Sequence, residues 1–417
     1  MELTGGRPLH GKVRVQGSKN AALPILAGAV LHRGRTIVDN CPEITDVRWT
    51  VRILEELGCR VRFEENRLEI DSSCLQSCRI PGELGHRMRS SVVFLGSLLG
   101  RMKTARIPYP GGCTIGKRPV DLHRKALEAL GAVITEEEGY LCAETSGMEG
   151  TVIRFPFPSV GATENAILGA VLAQGSTQIY GAAMEPEVLE LCRFLNEKGA
   201  RILWKGQGEI RIEGVKSLQD SRFVLMPDRI VAGTYLFGAI VSRGRIFLEQ
   251  APCETMQEVI RTARLMGAEA EASAGGLWVD GTRAWKSPGQ IRTAPYPGFP
   301  TDLQSPLMTA AALAQGVTVL EERIFESRFQ TAPQLRKMGA KIALEGRTAV
   351  VAGTRRLHGA QVEASELRGG AALALAGTAA EGVTRIRHVE YIQRGYEDLC
   401  RDLQELGADV KIQDVAS

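Results

Sequence analysis

Six times along the chain a helix-like segment ends in Gly-Ala or Gly-Cys and runs straight into an alternating, strand-like segment. The copies read LEELGCRVRF, LEALGAVITE, FLNEKGARIL, ARLMGAEAEA, LRKMGAKIAL and LQELGADVKI, with the glycine at Gly58, Gly131, Gly199, Gly267, Gly339 and Gly407. Successive glycines lie 73, 68, 68, 72 and 68 residues apart, so one structural unit repeats through the whole length. A helix that stops and turns at once into a strand needs a residue at positive φ, and glycine supplies it without a steric penalty. Near-constant spacing over six copies makes accidental C-cap chemistry a poor explanation. A chain of 417 residues is also too long for a single core, so two domains of roughly 200 residues each are expected.

Each copy carries an upstream strand as well, in LHRGRTIVDN, GRMKTARIPY, LAQGSTQIYG, VSRGRIFLEQ, LAQGVTVLEE and AEGVTRIRHV. These read as a helix end, a capping glycine and a β-branched stretch. The unit is therefore strand–helix–strand, completed by a further strand and helix. From the upstream glycines Gly34, Gly175, Gly244, Gly316 and Gly382 to the second glycine of the copy the spacing is 24, 24, 23, 23 and 25 residues. In the second copy Met102 stands in the glycine's place and the spacing to Gly131 is 29. The extra residues fall in YPGGCTIGKRPVDLH, residues 109–123. An insertion in one copy of a regular scaffold is a candidate functional loop.

Composition narrows the function classes. Hydrophobic residues make up 44% and charged residues 24%, ordinary for a soluble globular protein. The 51 basic and 48 acidic residues are mixed along the chain, with no basic run to suggest nucleic acid. The start, MELTGGRPLHGKVRV, has no signal-peptide pattern, and apolar runs such as SVVFLGSLLG are about half the length that spans a bilayer. The expectation is a soluble cytoplasmic protein with no membrane or nucleic-acid partner. Nine cysteines, an odd number, fit reduced thiols. No Cys/His grouping completes a four-ligand zinc site, so no metal is expected.

Four features carry chemistry. In the inserted loop, Cys113 follows Gly111-Gly112 and precedes Gly116-Lys117-Arg118-Pro119. A thiol on a glycine-flanked, cationic loop reads as reactive, the rival reading being an incidental surface cysteine. In VQGSKNAALPILAG a helix begins near Lys19, where the helix N-terminus and the ammonium would both favour an anion. The pattern is not a phosphate-binding GxxxxGK[ST] loop. Arg89, Arg328, Arg368 and Arg394 sit at related places in other copies and matter only if the fold gathers them. Asp302, after the Pro-rich turn PYPGFP, is a helix-start aspartate whose minimal role is N-capping.

These residues resemble the UDP-N-acetylglucosamine 1-carboxyvinyltransferase family of enolpyruvyl transferases over essentially the full length. The likeness rests on GSKNAALPILAG, GGCTIGKRPVDLH, SVGATEN, AAMEPEVLELCRFLNEKGA, MPDRI, RTAPYPGFPTDLQ, IFESRF and QRGYEDL. It implies an α/β fold of two inside-out domains, each of three repeated βαβαββ-like units, with the active site in the interdomain cleft. One domain would comprise residues 1–19 and 228–417, the other residues 20–227 with the Cys113 loop. The implied reaction moves enolpyruvyl from phosphoenolpyruvate to the 3′-hydroxyl of UDP-N-acetylglucosamine, releasing phosphate, the first committed step of peptidoglycan precursor synthesis. By the same resemblance Cys113 is the proton donor and Asp302 accepts the sugar hydroxyl's proton. Lys19, Asn20, Arg118 and Arg394 surround phosphoenolpyruvate. Arg89, the run Arg118, Pro119, Val120, Asp121 and Leu122, then Ser159, Val160, Gly161, Ile324, Arg328 and Arg368 contact the substrates. No cofactor and no metal are implied, and the protein would be a monomer. The chain departs from the family pattern at Val231, Gly369-Gly370 and Gln393. Two rivals remain: the related transferase acting on shikimate 3-phosphate, and a non-catalytic regulatory paralogue that binds nucleotide sugar.

Overall fold

The computed structural model describes residues 1–109 and 120–412. Cys113, Lys117, Arg118 and Pro119 lie outside the described residues. Two compact units form, one of Met1–Gln16 with the residues from Pro227 on, the other of the described residues between Gly17 and Met226. Each has its own hydrophobic core.

Every repeat glycine identified in the sequence adopts positive φ, from 87° at Gly407 to 101° at Gly58. The upstream caps are less uniform. Gly175, Gly316 and Gly382 are left-handed, but in the second copy that residue is Lys103 (φ 62°), one past Met102, and in the fourth it is Arg243 (φ 57°), not Gly244. Gly34 serves a different end. A Cβ there would lie 2.4 Å from Asp220 Oδ1 and 2.5 Å from His32 Nε2, so its absence admits the His32–Asp220 contact.

Each repeat is strand, inner helix, strand, outer helix and β-hairpin, and the strands make one small sheet. Val152–Arg154, Ser176–Tyr180, Glu209–Glu213 and Arg201–Gly206 show the rule: the first two pair parallel and the hairpin adds antiparallel. In the second repeat the first strand shrinks to a single parallel bridge, Arg79 to Arg106. Three strands come from distant segments. Ser221–Val224 opens the first sheet beside Arg35–Asp39, and His10–Arg14 opens the fourth beside Arg245–Glu249. Glu2–Thr4 completes the last sheet between Val383–Arg387 and Asp409–Lys411.

The inner helices are buried on all faces, which inverts the usual α/β order by putting helices inside and sheets outside. Their sequences are mostly small and apolar with no polar stripe, as a largely buried helix requires. In one unit these are Lys19–Ala29, Phe94–Met102 and Val160–Ala170. In the other they are Arg229–Ser242, Gln304–Ala312 and Leu367–Ala379, the first two with every residue buried. The strands alternate, as in the buried Leu68 and Ile70 of Arg67–Asp71, so one sheet face covers the helices and the other meets solvent. No helix among the described residues is long and apolar enough to cross a membrane.

One buried cation holds a borrowed strand in place. Lys198 is fully buried, and its Nζ donates to Thr36 Oγ1 (2.8 Å) and Ser221 Oγ (3.3 Å), residues paired across the parallel strands. Burial lowers its pKa to about 8, against a smaller opposing pull from Asp220. A folded-state pKa below the unfolded one means that unfolding takes up a proton between pH 8 and the ordinary lysine range. Folded stability therefore rises with pH across that window. Relative to Lys198→Met, the wild type should gain thermal stability from about pH 8 to about pH 10. Melting curves for both proteins at matched pH test this, and parallel profiles would show that Lys198 does not titrate there.

Candidate functional site

In the unit between Gly17 and Met226, one buried amide gathers three predicted segments. Asn165, inside the apolar helix Val160–Ala170, donates to Val92 O (2.9 Å) and to His123 Nδ1 (2.7 Å), while its Oδ1 accepts from Gly96 N (2.8 Å). Those contacts fix the turn Arg89–Val93 and the start of the helix Asp121–Ala129 against Ser159–Gly161. Accepting at Nδ1 places the His123 proton on Nε2. Burial pushes His123 down to about 3, with the nearby Arg89 charge adding to the effect, so the ring is neutral. Gly161 is small for a reason: a Cβ would come within 2.9 Å of His123 Cε1. Val120 is buried, Leu122 half-buried and Asp121 exposed at the helix start.

Lys19 opens the helix Lys19–Ala29, behind a Ser18 cap whose Oγ accepts from Ala21 N (3.4 Å). Its ammonium lies 2.7 Å from Asp46 Oδ2, with both side chains nearly buried. Asn20 follows, half-buried. Ser159 caps Val160–Ala170 in the same way, accepting from Ala162 N (3.4 Å). Neither helix has an acidic residue in its first turn, so the partial positive charge of both N-termini is left for an anion.

The other unit treats its helix starts in the opposite way. Asp228 caps Arg229–Ser242, accepting from Ile230 N (2.8 Å) and Val231 N (3.0 Å). Glu366 caps Leu367–Ala379 through the amides of Arg368 (2.9 Å) and Gly369. Asp302 lies in the turn Thr301–Leu303 that leads into Gln304–Ala312. Its Oδ1 accepts from Arg328 at 2.8 Å, and its Oδ2 stands 3.6 Å from Arg368. Both arginine side chains are almost wholly buried, at 3% and 2% exposure, while Asp302 keeps 26%. Nε of Arg368 and Nε of Arg328 find no hydrogen-bond partner among the described residues. Buried charged donors left unmet are costly unless another group supplies acceptors. Arg368 also lies over the Tyr396 ring (5.4 Å), and Tyr396 Oη meets Thr234 Oγ1 at 2.8 Å.

Arg394 ends the half-buried turn Val389–Arg394. Ile324 is also half-buried, its amide donating to Glu322 Oε1 (2.8 Å). The departures have local explanations in two of three places. A Cβ at Gly369 would lie 2.4 Å from Thr331 Oγ1, and one at Gly370 would lie 2.7 Å from Ile392 Cγ1, so Gly369 makes room for Thr331 and Gly370 lets the Arg394 turn pack close. Val231 is a core residue whose amide belongs to the Asp228 cap. The exposed Gln393 has no structural account.

Sequence reasoning missed Asp46, His123, Asn165 and Glu366. Asn165 left a readable signal, an amide in the polar run Thr163-Glu164-Asn165 of a helix whose remaining residues are mostly small or apolar. Asp46 left none that ties it to Lys19.

Comparison with known proteins follows the same lines. A family model described as EPSP synthase (3-phosphoshikimate 1-carboxyvinyltransferase) matches residues 3–403. UDP-N-acetylglucosamine 1-carboxyvinyltransferase 2 of Caldanaerobacter subterraneus subsp. tengcongensis is 43% identical over 409 residues, 98% of each chain. The UDP-N-acetylglucosamine 1-carboxyvinyltransferase of Desulfovibrio desulfuricans is 44% identical over the same length and coverage. Among solved structures, the enolpyruvyl transferase NikO from Streptomyces tendae matches with a TM-score of 0.88 at 24% identity, over 98% of this chain and 97% of that one. EPSP synthase from Acinetobacter baumannii gives 0.74 at 19% identity, over 99% of each. Those two likenesses bear on the fold, and they agree with the inside-out α/β architecture expected from the sequence.

Proposed function

Because the chain belongs to the EPSP synthase (3-phosphoshikimate 1-carboxyvinyltransferase) family, we propose that it transfers enolpyruvyl from phosphoenolpyruvate to the 3′-hydroxyl of UDP-N-acetylglucosamine. The relatives that match it over 98% of both lengths carry that substrate in their names. The geometric observation that carries the reading is Asp302, a partly exposed carboxylate fixed by Arg328 at 2.8 Å and faced by the buried Arg368 at 3.6 Å.

The two sets of residues then divide the work. Arg89, Val120–Leu122 and Ser159–Gly161 bind the nucleotide sugar, with Ile324, Arg328 and Arg368. The helix N-termini at Ser18 and Ser159, which carry no acidic residue in their first turns, suit phosphate groups. Lys19, Asn20, Arg118 and Arg394 hold phosphoenolpyruvate, whose two anionic groups need several fixed cations. As the sugar oxygen bonds to C2 of phosphoenolpyruvate, Asp302 takes the hydroxyl proton and Cys113 gives a proton to the C3 methylene. The adduct then returns a C3 proton to the Cys113 thiolate and breaks its C2–O bond to phosphate, which leaves with the proton held by Asp302 and yields the enol ether. Each proton transfer by a positioned group contributes about 10²–10⁴-fold.

Release of inorganic phosphate tests this. Phosphate should appear with phosphoenolpyruvate and UDP-N-acetylglucosamine, and not when shikimate 3-phosphate replaces the nucleotide sugar. Phosphate with shikimate 3-phosphate would identify the related transferase. Silence with both, alongside normal nucleotide-sugar binding, would make the chain a non-catalytic binder.

A further inference from the structure

Gln16 lies at the end of the N-terminal segment that follows the strand His10–Arg14, and nothing in the local sequence marks it. It is buried at 8% exposure, yet both ends of its amide are used. Nε2 donates to Gly395 O at 3.1 Å, and Oε1 accepts from Glu397 N at 2.9 Å. These two partners flank Tyr396 and directly follow Arg394. Tyr396 is itself tied to Thr234 on the inner helix Arg229–Ser242. The backbone carbonyl of Gln16 accepts from Asp228 N (2.8 Å), the residue that caps that same helix. One side chain 379 residues away thus clamps the segment after Arg394 at two points, with the clamp anchored to the helix start.

We propose that Gln16 is a positioning residue for Arg394, setting the arginine for the phosphate or carboxylate of phosphoenolpyruvate. The proposal rests on the function put forward above. It acts through backbone placement: the turn Val389–Arg394 ends in a Gly395 amide bonded to Ile392 O (3.1 Å), and the clamp fixes what comes next. Gln393, exposed beside Arg394, contributes no comparable anchor among the described contacts.

The test compares Gln16→Met, which keeps volume and loses both hydrogen bonds, with Gln16→Glu, which keeps the acceptor for Glu397 and sets a second acceptor against Gly395 O. In each, the KM for phosphoenolpyruvate should rise about tenfold, with the KM for UDP-N-acetylglucosamine changed less than about twofold. Arg394→Ala serves as the reference and should raise the same constant. Loss of stability alone would lower the active fraction and scale kcat without separating the two KM values. If Arg394→Ala raises the KM for phosphoenolpyruvate and neither Gln16 variant does, the positioning role is overturned while the function stands. If none of the three changes it, Arg394 is not a phosphoenolpyruvate ligand and the positioning role falls with it, while the function stands. Equal rises in both KM values would also overturn the proposal.

Discussion

Asp302→Asn should lower kcat by about 10²–10⁴-fold while leaving nucleotide-sugar affinity within roughly an order of magnitude. The amide preserves the shape of the carboxylate and still offers Arg328 an acceptor at the position now 2.8 Å away. It cannot take a proton from a hydroxyl, so the loss falls on the step in which the sugar oxygen attacks. The same change strips the counter-charge from two guanidinium groups that are 3% and 2% exposed. Removing one partner of a fully buried pair costs about 3–5 kcal/mol, and the effect here should be smaller because Asp302 is 26% exposed. A second readout is therefore a lower melting temperature that a bound anion partly restores. Single-turnover phosphate release measures the first effect and thermal melting the second. A kcat near wild type would assign Asp302 to capping and charge balance alone.

Cys113→Ser should bind UDP-N-acetylglucosamine normally and turn over about 10²–10⁴-fold more slowly. An ordinary thiol, with a pKa of about 8.5, is mostly protonated near neutrality and still able to give its proton up. A serine hydroxyl fills the same space and is a far weaker acid, so protonation of the methylene carbon loses its donor. Equilibrium binding of the nucleotide sugar beside steady-state phosphate release separates the two effects. Turnover close to wild type would remove Cys113 from the proton-transfer step.

The periodic part of this structure was legible because it is local. A helix turning into a strand must pass through positive φ, and at Gly58, Gly131, Gly199, Gly267, Gly339 and Gly407 glycine answers that demand. Where the caps broke the rule, at Lys103 and Arg243, the left-handed cost for a non-glycine residue is about 1–2 kcal/mol, small enough for tertiary contacts to override. Lys103, for example, gains a hydrogen bond from Nζ to Ser146 O at 2.9 Å. The site was legible only as residue types. Arg328 and Arg368 could be named as cations, but their convergence on Asp302 joins two repeats, and no local pattern records it. The same holds for Lys19 with Asp46, and for the Asn165 amide that ties Arg89 and Val120–Leu122 to Ser159–Gly161. Long-range pairing also hid the borrowed strands: Ser221–Val224 reads like any other edge strand until its parallel partner is known.

The placement of Glu2–Thr4 within the last sheet bears on how the chain matures on the ribosome. Residues made first must wait for Val383–Arg387 and Asp409–Lys411, nearly the last to emerge, before they find neighbours on both sides. At about 5–20 residues per second that wait lasts tens of seconds. The portion between Gly17 and Met226 has no such delay, since it contains every strand of its own three sheets. It can close while the remainder is still being translated. His10–Arg14 finds its partner once Arg245–Glu249 is made, so Glu2–Thr4 is the stretch whose exposure a nascent chain must survive longest.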